Sequence, residues 1–134
     1  MMKKNIHGQP KKVSMCLLFI MLMIFITSCA SQGVTSYDVD ITMEGGSGKA
    51  YIVSPVTITE SGGDITARLV WSSRNYDYMI VDGEKYLNEA AEGENSVFTI
   101  PVPAFGEEFT VIGDTVAMST PHEIEYTLFI DLQQ

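Results

Sequence analysis

Along the stretch YDVDITM, Tyr37, Val39, Ile41 and Met43 fall on one face of an extended chain, and Asp38, Asp40 and Thr42 fall on the other. Successive side chains of a strand point to opposite faces, so this alternation specifies a half-buried strand and disfavours a helix. The same period returns in ITARLVWSS, where Ile65, Ala67, Leu69 and Trp71 alternate with Thr66, Arg68 and Val70. Turn chemistry separates the runs: GGSGK at Gly45 to Lys49, SGGD at Ser61 to Asp64, and Asp82-Gly83 between MIV and EKY. An Asp-Gly pair flanked by apolar residues is a strong hairpin signal, because a type I′ turn needs positive φ at both central positions. Further strands are predicted in AYIV, VTITE, SVFTIPV, EEFTVIGD and HEIEYTLFIDL, and GGSGK reads as a glycine hairpin. NEAAEGEN reads as a polar loop with room for one helical turn. About eight short strands with turns at regular spacing predict an all-β fold, an immunoglobulin-like antiparallel β-sandwich over residues 37–134.

Residues 1–36 have a different character. The opening MMKKNIHGQPKK is basic without an acid, the run Val13 to Ile26 is uncharged and mostly apolar, and small residues follow in TSCASQG. That order marks a secretory signal peptide, residues 1–28. As a helix the apolar run is roughly 21 Å long, short of the roughly 30 Å hydrocarbon core of a bilayer. Ile26-Thr27-Ser28-Cys29 resembles the bacterial lipobox, in which an aliphatic and two small residues precede the cysteine. The resemblance implies a lipoprotein: Cys29 carries diacylglyceryl and palmitate-type chains, and residues 29–36 form a lipidated tether. The expected location is the outer face of the bacterial cell membrane, with the bilayer itself as one partner. Two or more acyl chains anchor a protein stably where one does not.

Cys16 and Cys29 are the only cysteines. The body after Cys29 therefore has no disulfide available, and burial alone must stabilise it. Its length, about 100 residues, suits one domain with one core. All 17 acidic residues lie after Cys29, against only Lys49, Arg68, Arg74 and Lys85 there, so the body is more acidic than the whole-chain charge of −9. Such a balance disfavours nucleic acid as a partner.

Enzymatic constellations are missing. His122 is the one histidine after Cys29, there is no G-x-S-x-G elbow, and the carboxylates stand in turns or on solvent faces. Acyl transfer and glycoside hydrolysis both lack their parts, so the chain is not expected to be an enzyme. GGSGKA lacks the spacing of a phosphate loop. A zinc site wants three or four nitrogen or sulfur ligands, and the acids near Asp82 do not match a calcium loop, so no metal site is predicted.

Two aromatic segments form the best candidate surface. One is WSSRNYDYMIVDGEKY, Trp71 to Tyr86; the other is AMSTPHE running into EYTL. Strand positions i and i+4 share a face, which sets His122 and Tyr126 on one side with Met118 near the preceding turn. The candidate ligand-contact residues are Trp71, Tyr76, Tyr78, His122 and Tyr126, acting by aromatic stacking and by axial or hydrogen-bond donation. The simpler alternative has Pro121 opening the strand, His122 bonding locally, Tyr126 in or beside the core, and Tyr76 and Tyr78 packed on Trp71.

GGSGKAYIVSPVTIT, WSSRNYDYMIVDGEKY, FTIPVPAF and DTVAMSTPHEIEYTL resemble a domain of lipoproteins from anaerobic Gram-positive bacteria, over roughly Val39 to Leu132. That domain often stands between the lipid anchor and an iron-complex substrate-binding domain of an ABC transporter, and it is similar to the NEAT (near-iron-transporter) sandwich. The resemblance implies a binding or accessory module in iron or haem acquisition, with haem or iron as cofactor and a transporter component or other surface protein as partner. In haem-binding NEAT domains a Y-x-x-x-Y pair on a late strand works with a serine-bearing short helix. The corresponding residues here are His122 and Tyr126, with Ser72-Ser73 in place of the serine segment. A spacer or protein-interaction domain acting through strand edges is the alternative.

Overall fold

The apolar–polar alternation resolves into nine strands among the described residues, 33–131 of the computed structural model. They are β1 (Thr35–Val39), β2 (Ile41–Gly45), β3 (Val56–Ser61), β4 (Asp64–Val70), β5 (Tyr76–Val81), β6 (Glu84–Leu87), β7 (Val97–Pro101), β8 (Glu108–Thr115) and β9 (His122–Ile130). The signal segment and the Cys29 acylation site lie outside the described residues. Strand structure starts two residues before the expected boundary at Tyr37, with Thr35 paired to Glu60 and Ser36 to Thr59.

The strands form two antiparallel sheets, one in the order β1-β3-β4-β7 and the other in the order β2-β9-β8-β5-β6. Inward residues line up across each sheet. Ile58, Ala67 and Ile100 make a row over β3, β4 and β7, and Tyr126 faces Val111 across β9 and β8. Ile58, Ala67, Leu69, Phe98 and Ile100 of the first sheet are fully buried, as are Met79, Leu128 and Ile130 of the second. Each large side chain so buried contributes about 1.5–3 kcal/mol relative to exposure. The sandwich class expected from the patterning is the fold observed.

Three local expectations are corrected. YDVDITM is not one strand: it breaks at Asp40, where β1 leaves the first sheet and β2 enters the second. The apolar period runs through the break unchanged, since Val39 and Ile41 are each 5 % exposed and both sheets face one core. Period alone does not register which sheet a strand joins. GGSGK and AYIV are likewise not a hairpin and a strand. Residues 46–55 cross from the second sheet to the first, held beside β4 by the Ile52–Trp71 bridge and by bonds from Val53 N to Val70 O and from Ser72 N to Tyr51 O. Finally, NEAAEGEN has no helical turn. Asn88 Oδ1 accepts from the amides of Ala90 and Val97 instead, which closes the loop on itself. The Asp82-Gly83 turn takes the expected form, with φ of 48° and 79°.

Candidate ligand groove

One end of the sandwich carries a groove of about 600 Å³. One wall is the crossover from Gly45 to Ala50, and the other is the β8–β9 turn with Ala117 and Met118. Ile124, Tyr126 and Tyr76 form the floor, and Ser72 and Ser73 stand at the rim. Among the described residues the lining contains no carboxylate, although the chain carries 17, and its single ionic side chain is Lys49. Met118, 60 % exposed, leaves an open apolar wall.

The floor is set by an aromatic cluster behind it. Trp71 is fully buried, stacks on Tyr76 with centroids 4.0 Å apart, and meets Tyr126 edge-on at 5.2 Å. Tyr76 and Tyr126 join their hydroxyls at 2.6 Å, while both rings are buried. Burial first, and the Tyr126 hydroxyl second, hold the Tyr76 phenol well above its ordinary range. Gly113 makes room for the cluster: a Cβ there would meet Tyr76 at 3.2 Å and both other rings at 3.3 Å. Ser96 locks Tyr76 in place, since its hydroxyl accepts from Tyr76 N and donates to Tyr76 O at 2.7 Å. Nε1 of Trp71 is buried with no hydrogen-bond partner among the described residues.

Tyr76 and Tyr78 do not cluster. A bulge between them in the β5–β8 ladder adds one residue, so Tyr76 turns into the core and Tyr78 to the outer face. There the Tyr78 hydroxyl donates to Glu123 Oε1 at 2.6 Å, and Lys85 Nζ lies 4.0 Å from its ring centre. The bond to the Glu123 carboxylate, chiefly, pushes the Tyr78 phenol up to about 12. Tyr78 is thus on the opposite face of the sheet from the groove floor, and Trp71 lies behind that floor rather than in the lining.

His122 opens β9, opposite Thr115, which lines the groove. It shares the inward-facing side of the strand with Ile124 and Tyr126, yet it is exposed and is not among the residues that line the groove, and its Nδ1 lies 2.7 Å from the Thr120 carbonyl oxygen. Ser72 and Ser73 both reach the groove, but the longer polar wall is the crossover, with Ser47 and Lys49. Sequence reasoning did not include Gly45, Gly46, Lys49, Ile124 or Ser96. The signal for the first three was the glycine run itself, which lets the crossover lie flat on the Tyr126 ring: a Cβ on Gly46 would sit 3.1 Å from that ring.

Beneath Tyr78 on the outer face, Asp114 is only 3 % exposed. Burial, then hydrogen bonding and repulsion from Asp77, with Glu123 adding to it, raise its carboxyl above the usual range. A carboxyl so raised stabilises the fold in its protonated form, and that contribution is lost as pH rises through its folded value. Asp114→Asn is therefore expected to raise the melting temperature at pH 7 and to have little effect near pH 3. Thermal melts of both proteins at the two pH values check this; equal shifts at both would remove the electrostatic explanation.

No protein-family model matches the chain, and no curated protein sequence does. Solved structures do. The NEAT5 domain of IsdX2, a B. anthracis hemophore in complex with heme, matches with a TM-score of 0.56 at 10 % identity, over 76 % of this chain and 99 % of that one. A point mutant of the same domain, also with heme, matches with a TM-score of 0.58 at 10 % identity, over 76 % of this chain and 98 % of that one. At this identity the likeness establishes architecture, and the chain folds as a NEAT-like, immunoglobulin-type β-sandwich.

Proposed function

We propose that the domain binds a tetrapyrrole, with haem as the leading ligand, in the groove between the Gly45–Ala50 crossover and the β8–β9 turn. The observation that carries this reading is the groove's chemistry: an apolar side at Ala117, Met118 and Ile124 facing a polar one with Ser47 and a single lysine, and no carboxylate among the lining residues of a strongly acidic chain. A flat apolar macrocycle with peripheral carboxylates matches such a lining, its ring against Ile124 and Met118 and one carboxylate on Lys49. The volume is in the range of small-molecule sites. Support also comes from the solved NEAT5 structures of the same fold, which hold heme.

In this reading the chain is a lipoprotein anchored through acylated Cys29, and the domain supplies haem or iron to a transporter component at the cell surface. Its task is binding and hand-over rather than catalysis. A protein-interaction role has one observation in its favour, the 69 % exposure of Leu87 on the edge strand β6.

Absorbance titration of the full chain with haem tests the proposal, against a detergent-only blank. A saturable Soret band is expected, and Lys49→Ala is expected to weaken binding about tenfold through loss of one charge-assisted contact. Absence of saturable binding at micromolar haem would leave the groove without a tetrapyrrole role and move the weight to the β6 edge.

A further inference from the structure

We propose, building on the tetrapyrrole reading, that the groove recognises the anionic edge of the macrocycle and leaves its metal uncoordinated. Metal-free porphyrin dicarboxylates are then ligands on the same footing as haem, and the groove selects by carboxylate rather than by iron.

The hydroxyls of the lining share one condition. Ser72 Oγ accepts from Tyr51 N at 2.9 Å, Ser73 Oγ from Asn75 N at 3.1 Å, and Thr115 Oγ1 from Ala117 N at 3.3 Å. Each oxygen is thus used as an acceptor by a backbone amide, while its own O–H proton has no acceptor among the described residues. The Tyr76–Tyr126 bond adds a fourth such proton, since one phenol donates to the other and the second keeps its hydrogen. A Cβ on Gly46 would stand 3.1 Å from the Tyr126 hydroxyl oxygen, so the crossover that bears Ser47 and Lys49 lies against the phenol pair. Donors therefore gather on one side of the groove, opposite the apolar side at Ala117, Met118 and Ile124. A carboxylate only accepts, and it is the group that such an excess of donors with one ammonium fits.

Iron has no comparable provision. Among the described residues the lining holds no histidine, cysteine or carboxylate. Tyr76 and Tyr126 are 5 % and 2 % exposed, and each hydroxyl is engaged by the other at 2.6 Å. Turning Tyr76 into a phenolate would break that bond and charge an oxygen inside an aromatic cluster whose burial already opposes ionisation. Lys49 is a cation, and an ammonium has no lone pair to give a metal. Met118 carries a thioether, but its flexible side chain packs on an aromatic ring with or without a metal at the centre.

The test is a titration of the full chain with three probes: haem, metal-free protoporphyrin IX, and the dimethyl ester of that porphyrin, in which both carboxylates are blocked. Absorbance follows the haem and emission follows the two porphyrins. Haem and the free-acid porphyrin are expected to bind with dissociation constants within about threefold of each other. The diester is expected to bind at least about tenfold more weakly than the free acid. Lys49→Ala should weaken haem and the free acid by the same factor and leave the diester unchanged, and Met118→Ala should not separate haem from the free acid. Haem binding more than about tenfold tighter than the metal-free porphyrin would show that the iron is held, and would overturn the proposal. A diester that binds as well as the free acid would overturn it too, while leaving the tetrapyrrole reading intact. Saturable binding by none of the three would instead sink the tetrapyrrole reading, and this proposal with it.

Discussion

Replacing Trp71 by alanine is expected to cost about 3–5 kcal/mol, the range for deleting a fully buried large aromatic. Its indole is fully buried and touches two rings, Tyr76 by stacking and Tyr126 by its edge. Few compensations are available, because the body after Cys29 has no cysteine to cross-link it. A small domain holds about 5–15 kcal/mol in total, so the loss takes a large share of it. The melting midpoint should fall by roughly 12 °C or more for a domain of this size. Trp71→Phe separates packing from polarity. The indole N–H is buried without a partner among the described residues, so phenylalanine removes an uncompensated donor along with some area. It is expected to recover most of the loss. Thermal and chemical denaturation of the two variants decide the matter; a phenylalanine variant as unstable as the alanine one would mean that the N–H is satisfied in solution.

Gly45→Ala is expected to be the second most damaging change, and to damage the groove as well as the fold. Gly45 has φ of +126°, a conformation almost reserved for glycine, which alone costs another residue about 1–3 kcal/mol. Its Cβ would also lie 2.7 Å from the Glu125 carbonyl oxygen and 3.2 Å from Tyr126 Cα. Those are backbone atoms of the strand paired with it, so no side-chain rotation relieves the clash, and the end of the β2–β9 ladder must open. A total loss of about 2 kcal/mol or more follows. Because Tyr126 is the groove floor, ligand affinity should fall too. Gly48→Ala is the control: φ is +75°, but a Cβ there meets nothing within 4 Å, so only the cost of the backbone conformation remains. Urea denaturation of both variants is the check, and equal losses would show that steric contact with β9 plays no part.

The sandwich was legible because its strands carry strict period two and its tightest turns carry their own chemistry, as at Asp82-Gly83. What could not be read were features where one extra or missing residue changes partner or face. Asp40 moves the chain between sheets without disturbing the alternation, since both sheets share a core. The bulge before Tyr78 does the reverse, keeping the pairing partner while changing the face, and it separates two tyrosines that spacing alone sets together. The placement of His122 and Tyr126 on one side of β9 needed only strand parity. The facing wall did not follow from local pattern, because Gly45 to Ala50 become a wall only once the crossover is laid against β9. Ser96, a small polar residue before a strand, carries no sequence sign that it will clamp Tyr76.

The strand switch at Asp40 also limits how far the domain can fray. An edge strand normally opens from its end and keeps unzipping while the next pair is no stronger than the last. Opening that starts at Thr35 breaks the β1–β3 ladder, but it reaches Asp40 and meets a different set of partners. Asp131 N bonds to Asp40 O at 2.9 Å, Ser54 Oγ accepts from Ile41 N at 3.1 Å, and β2 is paired along its length with β9. The zipper therefore has a stop sewn in, five residues from its start. Wear at the leading edge of the domain stays in one sheet, while the sheet that carries the groove floor is entered only beyond the stop.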